Sequence, residues 1–464
     1  MIRVFRHYIS SAFLGLFLAE FGVFFASMYY GHKVLFLFSE PWYSAAFIFY
    51  ASLLFAITLS LCTLGIGLYR RSLVWSEYDL LSRVGVSFLA AILIMVFTIY
   101  LFPVFLVGRS VLILAIIFAF LGLMACRYAF YKLVKKDGFF TKKILLIGGG
   151  IKAKNLIENN HDYIHGGIKV LGCVVVEGED TVVDTLLFVL GDNSLLEVAR
   201  DLEIDEIVIA VEDRRMNLPI EALLECKMSG ITIVDLLSFY ERENAIIHLE
   251  TLYPSWLIFS DGFIQNNLRL IKKRFVDLVM SLVLLVVTWP VMLVTALAIL
   301  WESKDWKAPI LYRQERVGQD GKVMTVLKFR SMGLDAEKDG VQWAQEVDSR
   351  VTAVGAVIRK YRIDELPQIF NVFCGDMSFV GPRPERPVFV DEFKENIDYY
   401  DDRHRVKPGI TGWAQLCYPY GSSEHDAIQK LQYDLYYVKN HSLFLDMVII
   451  LHTVEVVLWG RGAR

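Results

Sequence analysis

The chain has 464 residues, 55% hydrophobic and 21% charged, with a mean hydropathy of +0.44. That length suits two to four domains, and the composition excludes disorder, a collagen-like fibre and an ordinary cytosolic enzyme of this size. The net charge of −4 is unevenly spread: residues 1–138 hold 11 Lys/Arg against 5 Asp/Glu, and the remainder is acidic. A basic, membrane-like part therefore precedes a water-soluble one, and no long basic run interleaved with aromatics points to a nucleic-acid partner. The six cysteines (Cys62, Cys126, Cys173, Cys226, Cys374 and Cys417) are scattered without a CxxC pair. Neither a disulfide framework nor a zinc site is indicated, which fits a reduced, cytoplasmic location for the soluble part.

Four apolar stretches come first: Ser11–Tyr30, with Glu20 as its one charge, Pro41–Tyr69, Val84–Val107 and the shorter Ser110–Cys126 between Arg109 and Arg127. Each is long enough to cross the hydrocarbon, the last with its terminal arginines snorkelling. Arg3, Arg6, Arg70, Arg71, Arg83, Arg127, Lys132, Lys135, Lys136, Lys142 and Lys143 fall on one side, and only Lys33 and Arg109 on the other. The positive-inside rule then places both ends of this four-helix unit on the cytoplasmic side. Glu20 reads as a packing or headgroup residue in preference to a functional acid. No cleaved signal peptide is expected at the start, because three more spans come after the first.

Lys143–Ile147 reads as a buried strand, followed by Gly148, Gly149 and Gly150 and a helical pattern from Ile151 to Glu158. Gly148, Gly150 and Ala153 fit GxGxxA, with further strands expected at Val170–Val176 and Glu206–Val211. Residues 139–262 thus read as a small Rossmann-like α/β domain. Two readings of its glycines stand: Gly148 and Gly150 bind a nucleotide, with Glu177 as a ribose acid, or the domain is structural or regulatory and keeps only the turn glycines. His161 and His165 lie in a polar stretch and read as surface residues.

A fifth apolar stretch, Phe275–Trp301, contains Pro290. Proline has no N–H to give a helix, so two arms of about 15 and 12 residues are expected, roughly 22 and 18 Å long, each too short for a core of about 30 Å. Lys272, Lys273 and Arg274 precede the stretch and Lys304, Lys307 and Arg313 come after it. A re-entrant hairpin over 275–301, turned at Pro290, satisfies both observations.

The densest chemistry lies in KFRSM at 328–332, RKYRIDELPQIFNVF at 359–373, GDMSFVGPRPERP at 375–387 and KPGITGWAQ at 407–415. A helix beginning near Asp364 would bring unpaired N–H groups close to Asp364 and Glu365, and neighbours on a helix diverge by about 100°, so the two acids should have separate tasks. One can attack phosphorus while the other holds a metal. Lys328 and Arg330 would share one strand face, and Arg359 and Arg383, the latter between Pro382 and Pro384, add guanidinium forks suited to phosphate. Arg386, Arg403, Arg405 and Lys407 are candidates for nucleotide or lipid headgroup contacts. Trp413 and Tyr418 suit either base stacking or the core. Leu443–Trp459, broken by Asp446, His452 and Glu455, reads as an interfacial or core helix.

These motifs, with the proline-containing apolar segment before them, resemble the bacterial polyprenyl-phosphate sugar-1-phosphate transferases of the monotopic class over about 200 residues. The whole layout resembles the long members of that family, which initiate capsule, exopolysaccharide or O-antigen synthesis. The resemblance implies a four-helix transmembrane bundle (1–138), the α/β domain (139–262) and a mainly α, α+β catalytic domain (263–464). It also implies polyprenyl phosphate and a nucleotide sugar as substrates, with uridine diphosphate carrying glucose or galactose as the expected donor. Asp364 is the implied nucleophile and Glu365 the implied metal-linked acid, the two carboxylates meeting Mg2+ or Mn2+. Small members carry only the last unit, which implies that residues 1–262 are not needed for chemistry. A homodimer is left open. The competing reading is a membrane-bound nucleotide-sensing or scaffolding protein with an inactive transferase unit, and the intact acid and basic residues argue against it.

Overall fold

The computed structural model describes residues 2–35, 44–69, 77–105, 107–136, 141–158, 167–176, 178–183, 187–188, 194–212, 218–263, 266–336, 350–419, 421 and 423–459. Glu177, His161 and His165 lie outside them. The chain packs as two units, one built mainly from residues 9–243 and the other from 3–8 with 244–464.

In the first unit, α1 (Ser11–Leu35), α2 (Ala45–Gly65), α3 (Glu77–Leu101) and α4 (Arg109–Lys136) share one apolar core. Phe24 and Met28, Phe55 and Leu59, Val84 and Phe88, and Ala115 and Ala119 meet there, each helix giving an apolar stripe. Small residues bring α1 and α4 close: a β-carbon on Gly31 would sit 3.4 Å from the Ala115 backbone N. Glu20 is fully buried and pairs with Arg127 Nε at 2.9 Å, while the Tyr69 hydroxyl donates to its other oxygen. Its charge is thereby compensated, as a buried acid requires.

The α/β part of this unit has a five-stranded parallel sheet: β1 (Lys142–Ile147), β2 (Ile168–Val174), β3 (Leu187–Phe188), β4 (Glu206–Ile209) and β5 (Thr232–Asp235), in the order 3-2-1-4-5. Helix α5 (Ile151–Glu158) comes directly after the glycines, and α6 (Leu195–Asp201), α7 (Ile220–Met228) and α8 (Leu236–Asn244) come after later strands. The central strand β1 is buried from Ile144 to Ile147, which accounts for its uninterrupted apolar run.

The second unit begins at Asn244, earlier than the boundary at 262/263 expected from sequence, because the residues just after α8 bond to the later chain. Ile247 N donates to Gln432 O at 3.1 Å, and the Trp413 indole donates to Ala245 O at 3.0 Å. Here α9 (Asn267–Ser303) is one 37-residue helix with Pro290 inside it. The two arms expected about Pro290 are therefore a single helical element: a proline removes one N–H and bends a helix without having to end it. After it come the antiparallel pair β6 (Leu311–Val317) and β7 (Val323–Phe329), then α10 (Ala353–Lys360), α11 (Gln368–Cys374), β8 (Ser378–Val380), α12 (Pro387–Asn396), β9 (Gly409–Thr411), α13 (Glu424–Asn440) and α14 (Leu443–Trp459). Strands β8 and β9 pair in parallel. On α14, Leu445 and Ile449 are fully buried, and Asp446 pairs with Lys273 at 2.8 Å.

Among the described residues five helices, α1 to α4 and α9, are long and apolar enough to cross a membrane. Both ends of α9 are tied to later elements of the chain. At one end Arg274 donates to Val372 O and Phe373 O, both at 2.6 Å, and Asp277 accepts from Ser378 Oγ and Phe379 N. At the other, Ser303 accepts from Arg330 at 2.7 Å and Glu302 from Val354 N at 3.1 Å. The middle, including Val286, Val287, Trp289 and Val294, is apolar and exposed.

Candidate active site around Asp364

Thr352 caps α10 by accepting from Gly355 N at 2.9 Å, and the helix runs to Lys360. Arg362, in a left-handed conformation (φ 57°), then reverses the chain into a 3-10 turn, Ile363–Glu365. The helix expected to begin near Asp364 starts instead at Gln368. Pro367 has no N–H with which to reach the Ile363 carbonyl in α fashion, and Leu366 N takes it at 3.1 Å as an i to i+3 bond.

On this tight turn the two acids part. Glu365 Oε1 meets Arg383 Nη2 at 2.9 Å, Lys328 Nζ at 3.4 Å and Arg362 Nη1 at 3.7 Å. Asp364 faces a cavity of about 420 Å³, and its buried Oδ1 has no hydrogen-bond partner among the described residues. Burial pushes the Glu365 carboxyl up, but Arg383, Lys328 and Arg362 together outweigh that and hold it well below the usual carboxylate range. Burial, and next the Glu365 charge, raise Asp364 above its ordinary value, with Lys328, Arg362 and Arg359 pulling the other way. Lys328 is itself lowered by burial against the attraction of Glu365.

The structure brings Lys328, Arg330, Arg359, Arg383 and Arg386 to the same cavity as Asp364. The side chain of Arg359 makes no hydrogen bond or ion pair among the described residues, and Arg330 leaves Nη1 buried without a partner. Arg386 donates to the Tyr312 hydroxyl at 3.4 Å. Arg383 is fixed through its backbone: the carbonyls of Pro382, Arg383 and Pro384 accept from Gly409 N (2.9 Å), Arg403 Nη2 (2.9 Å) and Arg316 Nη1 (3.0 Å). Gly409 is required there, since a β-carbon on it would collide with the Gly381 backbone.

Other candidates fall elsewhere. Arg403 is buried and pairs with Asp434 at 2.8 Å, a support for the Arg383 loop more than a headgroup contact. Arg405 pairs with Asp402, and Lys407 donates to Gly375 O at 2.6 Å. Trp413 packs against His7 and Tyr436, and Tyr418 donates to Asp426, so both have packing partners. Pro290 stands within α9, and Gly148 and Gly150 belong to the first unit and do not line this cavity. Sequence reasoning misses Arg316, Arg362 and the pairing of Arg403 with Asp434. Arg362 adjoins the acidic pair, which is signal enough; the other partners are tens of residues apart and carry no local pattern.

Long apolar helices and a buried acid ringed by bases are together the marks of a membrane protein that handles anionic groups. Residues 268–460 match the family described as Bacterial sugar transferase. Among curated relatives, the UDP-N-acetylgalactosamine-undecaprenyl-phosphate N-acetylgalactosaminephosphotransferase of Aeromonas hydrophila is 40% identical over 52% of this chain and 56% of its own length. The UDP-glucose:undecaprenyl-phosphate glucose-1-phosphate transferase of Klebsiella pneumoniae is 32% identical over 69% of this chain and 68% of its own. The galactosyl transferase CpsE of Streptococcus agalactiae is 32% identical over 70% and 73%. The match thus spans little more than half of the first relative and over two thirds of the other two. The chain belongs to this family, the bacterial polyprenyl-phosphate sugar-1-phosphate transferases.

Proposed function

We propose that the protein transfers a sugar-1-phosphate from a UDP-sugar to undecaprenyl phosphate, the first membrane step in making a surface polysaccharide. The observation that carries the reading is the contrast between the acids: Glu365 is neutralised by three cations, while Asp364 keeps a buried, unpartnered oxygen in a cavity lined by Lys328, Arg330, Arg359 and Arg383. Asp364 attacks the phosphorus that carries the sugar, forming an acyl phosphate and breaking the bond to the other phosphate, so uridine monophosphate leaves. An oxygen of the lipid phosphate then attacks the same phosphorus, and the Asp364 carboxylate is released. Each step joins two anions, which the basic residues make feasible by neutralising phosphate oxygens.

A divalent ion also fits. No group of three His, Cys, Asp or Glu side chains converges among the described residues. Magnesium, however, commonly takes one or two carboxylates and completes its shell with phosphate and water. Asp364 Oδ1 is available to it, and Glu365 would bind through the oxygen its three cations leave aside. Mg2+ or Mn2+ would there offset the charge of the diphosphate.

The family setting and the five apolar helices support a bacterial inner membrane location with the α/β and catalytic parts in the cytoplasm, as the positive-inside rule requires. We read α1 to α4 as a transmembrane bundle, the 3-2-1-4-5 sheet as Rossmann-like and α9 as re-entrant. In a straight helix the stretch of α9 from Arg274 to Ser303 would be about 44 Å long. The groups tied to these two residues are close neighbours: Arg274 binds Val372, Ser303 binds Arg330, and Asn371 bonds to Leu327 N at 3.0 Å. That supports a chain that enters and leaves by one face, bent at Pro290.

Purified protein with undecaprenyl phosphate should consume one of a panel of UDP-glucose, UDP-galactose and their N-acetylated counterparts. It should release uridine monophosphate and a lipid diphosphosugar. Release of uridine diphosphate would mean that the sugar–oxygen bond breaks and would overturn the assignment. Cysteines placed at Lys272 and at Lys307 should both react only from the cytoplasmic side; labelling at 307 from outside would contradict the re-entrant path.

A further inference from the structure

The glycine turn after β1 is where a sheet of this order takes a dinucleotide, at the crevice where strand order reverses, here between β1 and β4. Such a site works because backbone N–H groups at the turn and at the start of the next helix are left for a pyrophosphate. In this chain two of them, on Gly149 and Lys152, are taken by carboxylates. Glu179 Oε2 accepts from Gly149 N at 2.7 Å, and its Oε1 accepts from Glu212 N, just past β4, at 2.8 Å. Glu212 Oε1 in turn accepts from Lys152 N, in the first turn of α5, at 2.7 Å. The lysine side chain closes the circuit by donating to Glu212 O at 2.9 Å. From the other side, Gly149 O accepts from Val182 N at 2.8 Å and Val183 N at 3.2 Å, which lays the segment after Glu179 along the turn.

The glycines have a packing reason that needs no ligand. Gly148 has φ +116°, and a β-carbon there would lie 2.8 Å from Val211 N and 2.9 Å from the Ala210 carbonyl. A β-carbon on Gly150 would lie 2.6 Å from Glu212 Cγ. The fingerprint thus lets β1 and β4 approach and makes room for the two glutamates.

We infer that Glu179 and Glu212 stand where the phosphates of a dinucleotide would, so that this turn is a closed structural joint and the α/β domain takes no dinucleotide there. Two carboxylates occupy the Gly149 and Lys152 donors and would repel a pyrophosphate brought to the same place. The inference does not depend on the reaction assigned to Asp364.

Hydrogen exchange and ligand titration on the full-length protein in detergent test it together. With no ligand present, the amides of Gly149, Lys152 and Glu212 should exchange slowly, and Glu179→Ala should speed Gly149 and Glu212 selectively. Glu179→Gln, which keeps the shape and an accepting oxygen, should show a smaller change. NADH up to about 1 mM, the weak end of specific affinity, should give no saturable fluorescence change that depends on the turn. Binding that survives Gly150→Ala and is displaced by uridine diphosphate would belong to the Asp364 cavity and leave the joint closed, as inferred. Saturable binding abolished by Gly150→Ala, or fast exchange at Gly149 and Lys152 in the ligand-free protein, would overturn the inference.

Discussion

The Asp364 cavity and the Gly148–Lys152 turn are both, on sequence, places for phosphate: one gathers bases about an acidic pair, the other shows glycines between strand and helix. In the turn, Gly149 and Lys152 have found carboxylate acceptors within the fold. In the cavity, Asp364 Oδ1 and Arg330 Nη1 are buried without partners among the described residues. An unmade hydrogen bond on a buried polar group has a free-energy cost, which a fold tolerates where a ligand or a reaction will complete it. The two regions teach that residue type nominates a phosphate site, and the state of its hydrogen bonds decides whether the fold has kept it open.

The sharpest way to break this comparison is at the open site. Asp364→Asn should lower turnover by more than about 100-fold, or about 2.7 kcal/mol of transition-state stabilisation, while leaving thermal stability near wild type. Retention of a tenth of the rate would remove Asp364 as nucleophile. Next in size, Arg403→Met should strand the buried Asp434 charge and release the Arg383 carbonyl, costing about 3–5 kcal/mol in unfolding. Burial raises Asp434 to about 6 against the pull of Arg403. A folded-state value above the unfolded one means that stability falls as pH rises between the two, so the Arg403→Met loss should be larger at pH 8 than at pH 5, measured by thermal melts in detergent.

A smaller effect sharpens the electrostatics. Asp364 is raised by burial, and Lys328 is one of the charges opposing that. Because catalysis needs the carboxylate, activity should fall as pH drops through a value above that of an ordinary aspartate. Lys328→Met should move that acid limb to higher pH, by about a unit or less. A limb that stays put or moves down would mean that Lys328 does not act on Asp364. The smallest effect belongs to the closed turn: Glu179→Gln should leave turnover unchanged and cost about 1 kcal/mol or less of stability.

Much of the molecule is legible in its sequence where the physics is local. Long apolar runs mark the helices bounded at Ser11–Leu35 and Arg109–Lys136, and KILLI marks the buried strand Lys142–Ile147. The acids and bases of the cavity stand out because three short motifs supply them. Pairings between distant positions escape, since no periodicity encodes them: Asp277 with Ser378, Arg403 with Asp434 and Glu179 with Gly149. The sequence reading makes Pro290 a break between two arms, whereas one lost N–H leaves the rest of a 37-residue ladder intact. The turn at Asp364 reads as helix from its pattern, whereas the missing N–H of Pro367 favours a tighter 3-10 bond.

The central claim is that Asp364 Oδ1 has no partner among the described residues because the carboxylate forms a bond to phosphorus. The direct measurement is to incubate the protein with a UDP-sugar labelled in the phosphate next to the sugar, without lipid acceptor, and to map the label by mass spectrometry after rapid quenching. The account predicts a phosphosugar on the peptide bearing Asp364, absent in Asp364→Asn and discharged when undecaprenyl phosphate is added. Full turnover with no labelled enzyme at any time, and kinetics that require both substrates bound together, would contradict it.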